Sequence, residues 1–355
     1  MHAHLFAPLS IRDLTFRNRI AVSPMCQYSA EDGFVNDWHL VHLGSRAAGG
    51  AALVIMEATA VEPRGRISPA DAGIWKDEHI GPLARITRFI RGQGAAAGIQ
   101  LAHAGRKGST RPPWEGGGVI PEREGGWRTA APSAVPFRPE EPPSAELTVS
   151  EIASLVEAFA AAAHRAYKAG FEVAEIHGAH GYLIHQFLSP LSNHRTDRYG
   201  GALANRLRFA LEVAEAVRGA WPERLPLFLR ISATDWVEGG WNLDESVELA
   251  RLMKALGVDL VDCSSGGSSA HAKVPLEPGY QVPFAERIRR DAGILTGAVG
   301  LIVQPRQADE IIRAGKADVV LLAREFLRNP YFPLNAAQAL GVKVTPPAQY
   351  LRAFP

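Results

Sequence analysis

A chain of 355 residues, 46% of them hydrophobic, is long enough to bury a large core, either as one big α/β domain or as two ordinary ones. Lys plus Arg number 38 against 37 Asp plus Glu, a formal net charge of +1, and no polybasic run stands out. That balance excludes a global attraction to nucleic acid or to an anionic membrane and makes small molecules the expected partners. The two cysteines, Cys26 and Cys263, are too few for a disulfide framework, a four-thiolate cluster or a zinc site of their own, which fits a reducing compartment. The opening "MHAHLFAPLSIRDLTFRNRI" has no apolar stretch of signal-peptide length, and a cytoplasmic location is expected.

In chain order, eight short apolar runs end in Gly or polar residues: "RIAVSPM", "AALVIMEA", "GIQLAHAG", "EVAEIHG", "LPLFLRIS", "VDLVDCSS", "GILTGAVG" and "ADVVLLAR". They are near-continuous in Val, Ile and Leu, as parallel strands covered on both faces are. Helical periodicity falls at 38–49, 79–94, 149–169, 204–219, 244–256, 281–291, 305–314 and 325–340. Thr148 with Glu151 three residues on reads as a capping box, and Gly257 as a helix stop. Eight alternations predict a (β/α)8 TIM barrel forming one domain over 1–355. A doubly wound open sheet would advertise GxGxxG or GxxxxGK[ST] after its first strand, and neither occurs.

One connection departs from the alternation. Residues 104–147, with "RPPWEGGGVIPEREGGWRTAAPSAVPFRPEEPPSAE", are too rich in Pro and Gly for helix. This insertion leaves the end of the third strand, where barrels keep their active sites, and is expected to form a lid or pocket wall.

The strand C-termini carry Ser23, Pro24, Met25, Cys26 and Tyr28; Glu57, Ala58 and Thr59; Gln100, His103, Arg106 and Lys107; His177, His180 and Tyr182; Arg230 and Ser232; Cys263 and Ser264; Gly300; and Ala323 with Arg324. Phosphate sites in barrels are commonly built after strands seven and eight, where glycine lets backbone N–H groups approach an oxyanion; Gly300 and Arg324 are placed for that. In "AEIHGAHGYLIHQFLSP", the residues alone leave three readings of His177, His180 and Tyr182: metal ligands, a proton-handling and oxyanion-binding set, or packing residues.

Together "NRIAVSPMCQYSA", "EATAVEPRGRIS", "IQLAHAGRK", "EIHGAHGYLIHQFLSPLSNHRTDRYGG", "LRISATDW", "DCSSG", "TGAVG" and "LLAREFLRNP" closely resemble the Old Yellow Enzyme family of FMN-dependent ene-reductases, in its thermophilic-like branch. The resemblance runs over nearly the whole chain. It implies FMN across the mouth of the barrel, with Ser23, Pro24, Met25 and Cys26 along the isoalloxazine, Ala58 and Gln100 at its pyrimidine side, and Arg230 by N1 and the C2 carbonyl. Gly300, Ala323 and Arg324 are implied to hold the phosphate. Relatives commonly have glycine at Ala323, so its N–H is available only if the backbone avoids positive φ.

The resemblance further implies ping-pong reduction of activated alkenes (enones, enals, maleimides, nitroalkenes) with NADPH or NADH as donor. His177 and His180 would bind the activating oxygen, Tyr182 would donate the proton, and Tyr28 would add a second hydroxyl. Cys26 would modulate the flavin without acting as a nucleophile. An arginine near the C-terminus reaches the neighbouring subunit's site in this branch; Arg352, in the arm 345–355, matches it and implies a homodimer or tetramer with shared sites. A rival reading is a metal-dependent barrel hydrolase using His103, His177 and His180, which the scarcity of nearby carboxylates disfavours; no bound metal is expected. His185 is expected to be a helix-packing histidine.

Overall fold

The computed structural model describes residues 4–354, so Met1 to Ala3 and the last residue of the C-terminal arm, Pro355, lie outside it. Eight parallel strands close into a barrel in sequence order: β1 (Ile20–Val22), β2 (Leu53–Ala60), β3 (Ala96–Ala102), β4 (Val173–Gly178), β5 (Leu227–Ser232), β6 (Leu260–Ser264), β7 (Leu295–Ala298) and β8 (Val319–Leu322). Closure is made by β8 on β1, with Leu322 opposite Val22. Every residue of β2, β3 and β4 is buried, as the unbroken apolar runs require.

Side-chain alternation divides the strands into two faces. Val54, Met56, Ile176, Leu229 and Val261 belong to the core shared with the surrounding helices. Leu53, Ala96, Val173, Phe228, Leu260 and Val319 pack together as a second cluster, inside the barrel. Ile11 and Phe16 join that inner cluster from a short hairpin that pairs Leu9–Ile11 with Leu14–Phe16, so the hairpin closes the N-terminal end of the barrel. Two residues further along β4, β5 and β6 the inward positions turn polar, with Glu175, Arg230 and Asp262, and Gln100 on β3 stands opposite Glu175; all four are buried.

Around the barrel run α1 (Asp37–Ala48), α2 (Ile80–Gly92), α3 (Val149–Lys168), α4 (Leu183–Leu188), α5 (Leu203–Ala220), α6 (Leu243–Ala255), α7 (Val282–Ala292), α8 (Pro305–Arg313), α9 (Arg324–Arg328) and α10 (Phe332–Ala339). The capping box at Thr148 is present: its hydroxyl accepts from the Glu151 N–H at 3.2 Å, and the Glu151 carboxylate accepts from the Thr148 N–H at 2.9 Å. One expectation is corrected and one element is added. The single helix over 325–340 is broken into α9 and α10, because Pro330 lacks an N–H and disfavours helical φ/ψ at Asn329. A short helix not expected from the sequence, α4, follows Tyr182 at the mouth of β4.

Residues 104–147 hold three 3-10 turns and two two-residue strands, Ala130–Ala131 paired with Ala145–Glu146. Their side chains and those at the ends of β1 and β4 line a cavity of about 360 Å³, among them Tyr28, Lys107, Arg111, Phe137, Arg138 and Tyr182.

Candidate active site

The chain leaves β1 at Val22 and crosses the barrel mouth. Ser23 is buried, and its hydroxyl accepts from Arg230 Nη1 at 3.0 Å. Pro24, Met25, Cys26 and Tyr28 follow at intermediate exposure, and Tyr28 meets Trp114 of the insertion edge to face at 5.6 Å. Desolvation, with the carboxyls of Asp71 and Glu57 adding to it, pushes the Cys26 thiol well above its ordinary range, so it is no thiolate nucleophile at neutral pH. Glu57 does not face a metal site: its Oε1 accepts from the Gln27 N–H at 3.2 Å and holds the segment after β1 in place.

At the end of β4, His177 Nδ1 accepts from the Ala179 N–H at 3.3 Å, which leaves Nε2 as the N–H donor of a neutral ring. Burial, and then the charge of Arg230, hold both His177 and His180 well below the usual imidazole range, so both are neutral. His180 sits at φ 59°, a left-handed conformation uncommon outside glycine, imposed by its surroundings. Its N–H donates to Ser232 Oγ at 2.9 Å, its carbonyl accepts from Lys107 Nζ at 2.8 Å, and its Nε2 lies 2.7 Å from Ser264 Oγ. The next residue, Gly181 (φ 72°), has no room for a side chain, since a Cβ would fall 2.0 Å from the Gly267 carbonyl oxygen. The three rings cluster at the end of β4: His177 lies edge-on to His180 at 5.2 Å and to Tyr182 at 5.1 Å. Desolvation pushes the Tyr182 phenol well above its ordinary value, keeping it protonated. The three residues therefore form a neutral donor set.

Beneath this mouth lies the polar layer of the barrel. Arg230 Nε is 3.1 Å from Asp262 Oδ2, and Gln100 Nε2 donates to Glu175 Oε1 at 2.8 Å. Asp262 faces inward to Arg230, not outward to the barrel wall. Glu175 carries no role in the sequence reading; a carboxylate in the middle of an apolar strand was the signal available for it.

After β7 and β8, a cavity of about 190 Å³ is lined by Gly300, Ala323, Arg324, Gln281 and Tyr280. Gly300 has φ 120°, and a Cβ there would press on Gln281 at 3.1 Å, so a side chain at this position would be strained. Ala323 has φ −109°, outside the left-handed region, so alanine is accommodated there. α9 has five residues, too short for a substantial macrodipole, and the Arg324 side chain at its start is exposed.

The other candidates lie apart from this set. His103 Nε2 bonds Glu62 Oε1 at 2.9 Å, and its Nδ1 accepts from the Gly105 N–H at 3.0 Å. Both its nitrogens are engaged, and among the described residues no group of three or more His, Cys, Asp or Glu side chains is arranged to hold a metal ion. His185 is buried, accepts from the Gly181 N–H through Nδ1 at 2.9 Å and meets Asp235 at 2.9 Å, so it braces the turn that carries His180. Arg352 is exposed on the C-terminal arm, which is tied to α10 by Tyr350 and Tyr331, hydroxyls 3.1 Å apart. The arm runs beside Arg17, Gly50 and Gln93, at the N-terminal ends of the strands, so within one chain Arg352 does not join the mouth.

The model of the NADH:flavin oxidoreductase / NADH oxidase family matches residues 4–342. The chain belongs to this family. It is 51% identical over 356 residues to the NADPH dehydrogenase of Geobacillus thermodenitrificans, covering 100% of this chain and 99% of that one. It is 46% identical to the NADPH dehydrogenase of Bacillus subtilis, covering 100% of both. Among solved structures it is similar to morphinone reductase in complex with tetrahydroNAD, with a TM-score of 0.78, 26% identity, and 97% and 92% of the two chains covered. It is also similar to the old yellow enzyme homologue of Zymomonas mobilis, with a TM-score of 0.77, 25% identity, and 96% and 94% covered. The chain is an FMN-dependent oxidoreductase that uses NAD(P)H. Its own residues fit that cofactor: a glycine-lined cradle with an arginine at one end, and at the other the Arg230 guanidinium, whose Nε lacks a hydrogen bond of good geometry although it lies beside Asp262. Among the described residues no helix is long and apolar enough to cross a membrane.

Proposed function

We propose that this oxidoreductase reduces carbon–carbon double bonds activated by a carbonyl, nitro or similar group, as enones, enals, maleimides and nitroalkenes are. The observation that carries the reading is the neutral donor set of His177, His180 and Tyr182 at the mouth of β4, next to Arg230 on β5. Bound FMN supplies the relay of two reducing equivalents from NAD(P)H to the substrate, each visiting the same pocket in turn. Ser23, Pro24, Met25, Cys26, Ala58, Gln100, His177 and Arg230 would hold its ring system, and Gly300, Ala323 and Arg324 its phosphate.

His177, through Nε2–H, and His180 donate to the activating oxygen of the substrate. Neutral imidazoles suit this task, because they stabilise the negative charge that grows on that oxygen without surrendering a proton to it. Tyr182 delivers a proton to the α-carbon, and its high phenol pKa keeps that proton in place until the carbanion-like centre develops. Tyr28 contributes a second hydroxyl, and the insertion over 104–147 forms the outer wall of the pocket and limits water. The exposed Arg352 completes the pocket of a second copy in a homodimer or a dimer of dimers.

Isotope transfer tests this reading. With NADPH carrying deuterium at C4, the label should appear at the β-carbon of an enone; in deuterated water with unlabelled cofactor, it should appear at the α-carbon. Label at neither carbon, or no consumption of the enone, overturns the proposal.

A further inference from the structure

We propose that Glu175 is a positioning residue that sets the charge beneath the cofactor, acting through Arg230 and Gln100 and exchanging one proton as the cofactor changes charge. The inference rests on the reading that FMN lies against Arg230 and Gln100.

Four side chains on adjacent strands form a polar layer inside the barrel: Gln100, Glu175, Arg230 and Asp262, at 2%, 0%, 5% and 0% exposure. Below them lies the apolar cluster of Val173, Phe228 and Leu260. The layer holds two carboxyls and one guanidinium. Full ionisation would leave one uncompensated negative charge in a space without bulk water, an arrangement that proteins avoid by retaining a proton. Geometry decides which carboxyl keeps it. Asp262 has the guanidinium as its ion-pair partner, with Oδ2 3.1 Å from Arg230 Nε, although neither of its oxygens makes a hydrogen bond of good geometry. Glu175 has only the neutral Gln100 amide on Oε1, and Oε2 meets no donor among the described residues. Glu175 is therefore the proton holder and Asp262 the counter-ion.

The groups facing Glu175 are Asp262 from β6, Arg230 from β5 and Gln100 from β3, with neutral His177 two residues along its own strand. Burial and then the Asp262 charge push its carboxyl up to about 8, against the pull of Arg230 and Gln100. The layer is thus neutral while Glu175 is protonated and carries one negative charge once it ionises. Arg230 also reaches Ser23 at the mouth, so the same guanidinium faces both the buried carboxyls and the cofactor side. When reducing equivalents from NAD(P)H add negative charge above Arg230, an ionised Glu175 becomes more basic. It takes one proton from solvent: an O–H bond forms, nothing else in the layer changes covalently, and no further oxidant or reductant is consumed.

The test is the midpoint potential of the FMN-loaded protein from about pH 6 to about pH 10, in the wild type, in Glu175→Gln and in Arg230→Met. Above about pH 8 the wild type should take up one more proton per two electrons than Glu175→Gln, which fixes the uncharged form. Redox-difference infrared spectra of the wild type at high pH should show a protonated-carboxyl band gained on reduction; this readout stands even if Glu175→Gln folds poorly. Equal pH slopes in wild type and Glu175→Gln, or a spectrum with no such band, overturn the role of Glu175. If, in addition, Arg230→Met leaves the potential unmoved, the placement of the cofactor against Arg230 fails; if it shifts the potential, only the role of Glu175 fails.

Discussion

Replacing Tyr182 by Phe removes one hydroxyl and little else. Tyr182 occupies the cap position before α4, where its N–H donates to the Ala179 carbonyl at 3.1 Å, and its ring lies edge-on to His177 at 5.1 Å with Lys107 Nζ 5.1 Å from its centre. Phe keeps the backbone and both ring contacts, so folding stability should change by less than about 1 kcal/mol. Catalysis should change far more. A positioned general acid contributes about 10² to 10⁴ in rate, equivalent to about 3 to 5 kcal/mol in the barrier. Because the phenol delivers its proton only to the alkene, the loss should fall on that half-reaction, while reduction of the bound cofactor by NADPH stays within about twofold. The phenol is held above its ordinary value, so raising the pH within the stable range should produce no basic limb from Tyr182. Stopped-flow measurement of the two half-reactions separately reads these quantities. An equal fall in both, or no fall in alkene reduction, would refute Tyr182 as the proton donor.

Other expected outcomes follow from the same geometry. His177→Ala and His180→Ala should each slow alkene reduction by about 10² to 10³ and abolish binding of phenols at the mouth, followed by visible absorbance. Arg324→Ala should raise the dissociation constant for FMN by about ten- to a hundredfold, the loss of one charge-assisted hydrogen bond, and Gly300→Val should weaken it at least as much through strain at φ 120°; both are read by fluorescence titration of released flavin. Removing residues 345–355 should raise KM for the alkene or loosen self-association in sedimentation, and an unchanged KM with unchanged assembly would remove Arg352 from the site. Glu175 has a folded pKa raised from about 4.5 to about 8, so the unfolded chain releases its proton first and stability falls as pH rises between those values. Urea midpoints across that range should decline in the wild type and decline less in Glu175→Gln.

The eight strands were legible because parallel strands buried on both sides leave long runs of Val, Ile and Leu, and the order of the barrel follows once each run is separated by a helix. Pro330 was a visible warning that 325–340 would not be one helix, and helical periodicity on either side of it concealed the break. α4 was hidden because "LIHQFL" is buried all round and shows no polar face. Family resemblance supplied the expected roles of His177, His180 and Tyr182, while their mutual aim depends on the left-handed turn at His180 and on the close passage of Gly267, which joins loops distant in sequence. Glu175 and Asp262 looked like ordinary strand residues because nothing in a single strand shows that its inward positions meet two strands away across a closed barrel.

The most direct test of the account is an anaerobic titration of the FMN-loaded protein. Stoichiometric NADPH should bleach the visible flavin band, and an enone added afterwards should restore it with one alkene reduced per flavin. A band that NADPH leaves intact, or that bleaches and is not restored by any activated alkene, would contradict the central claim.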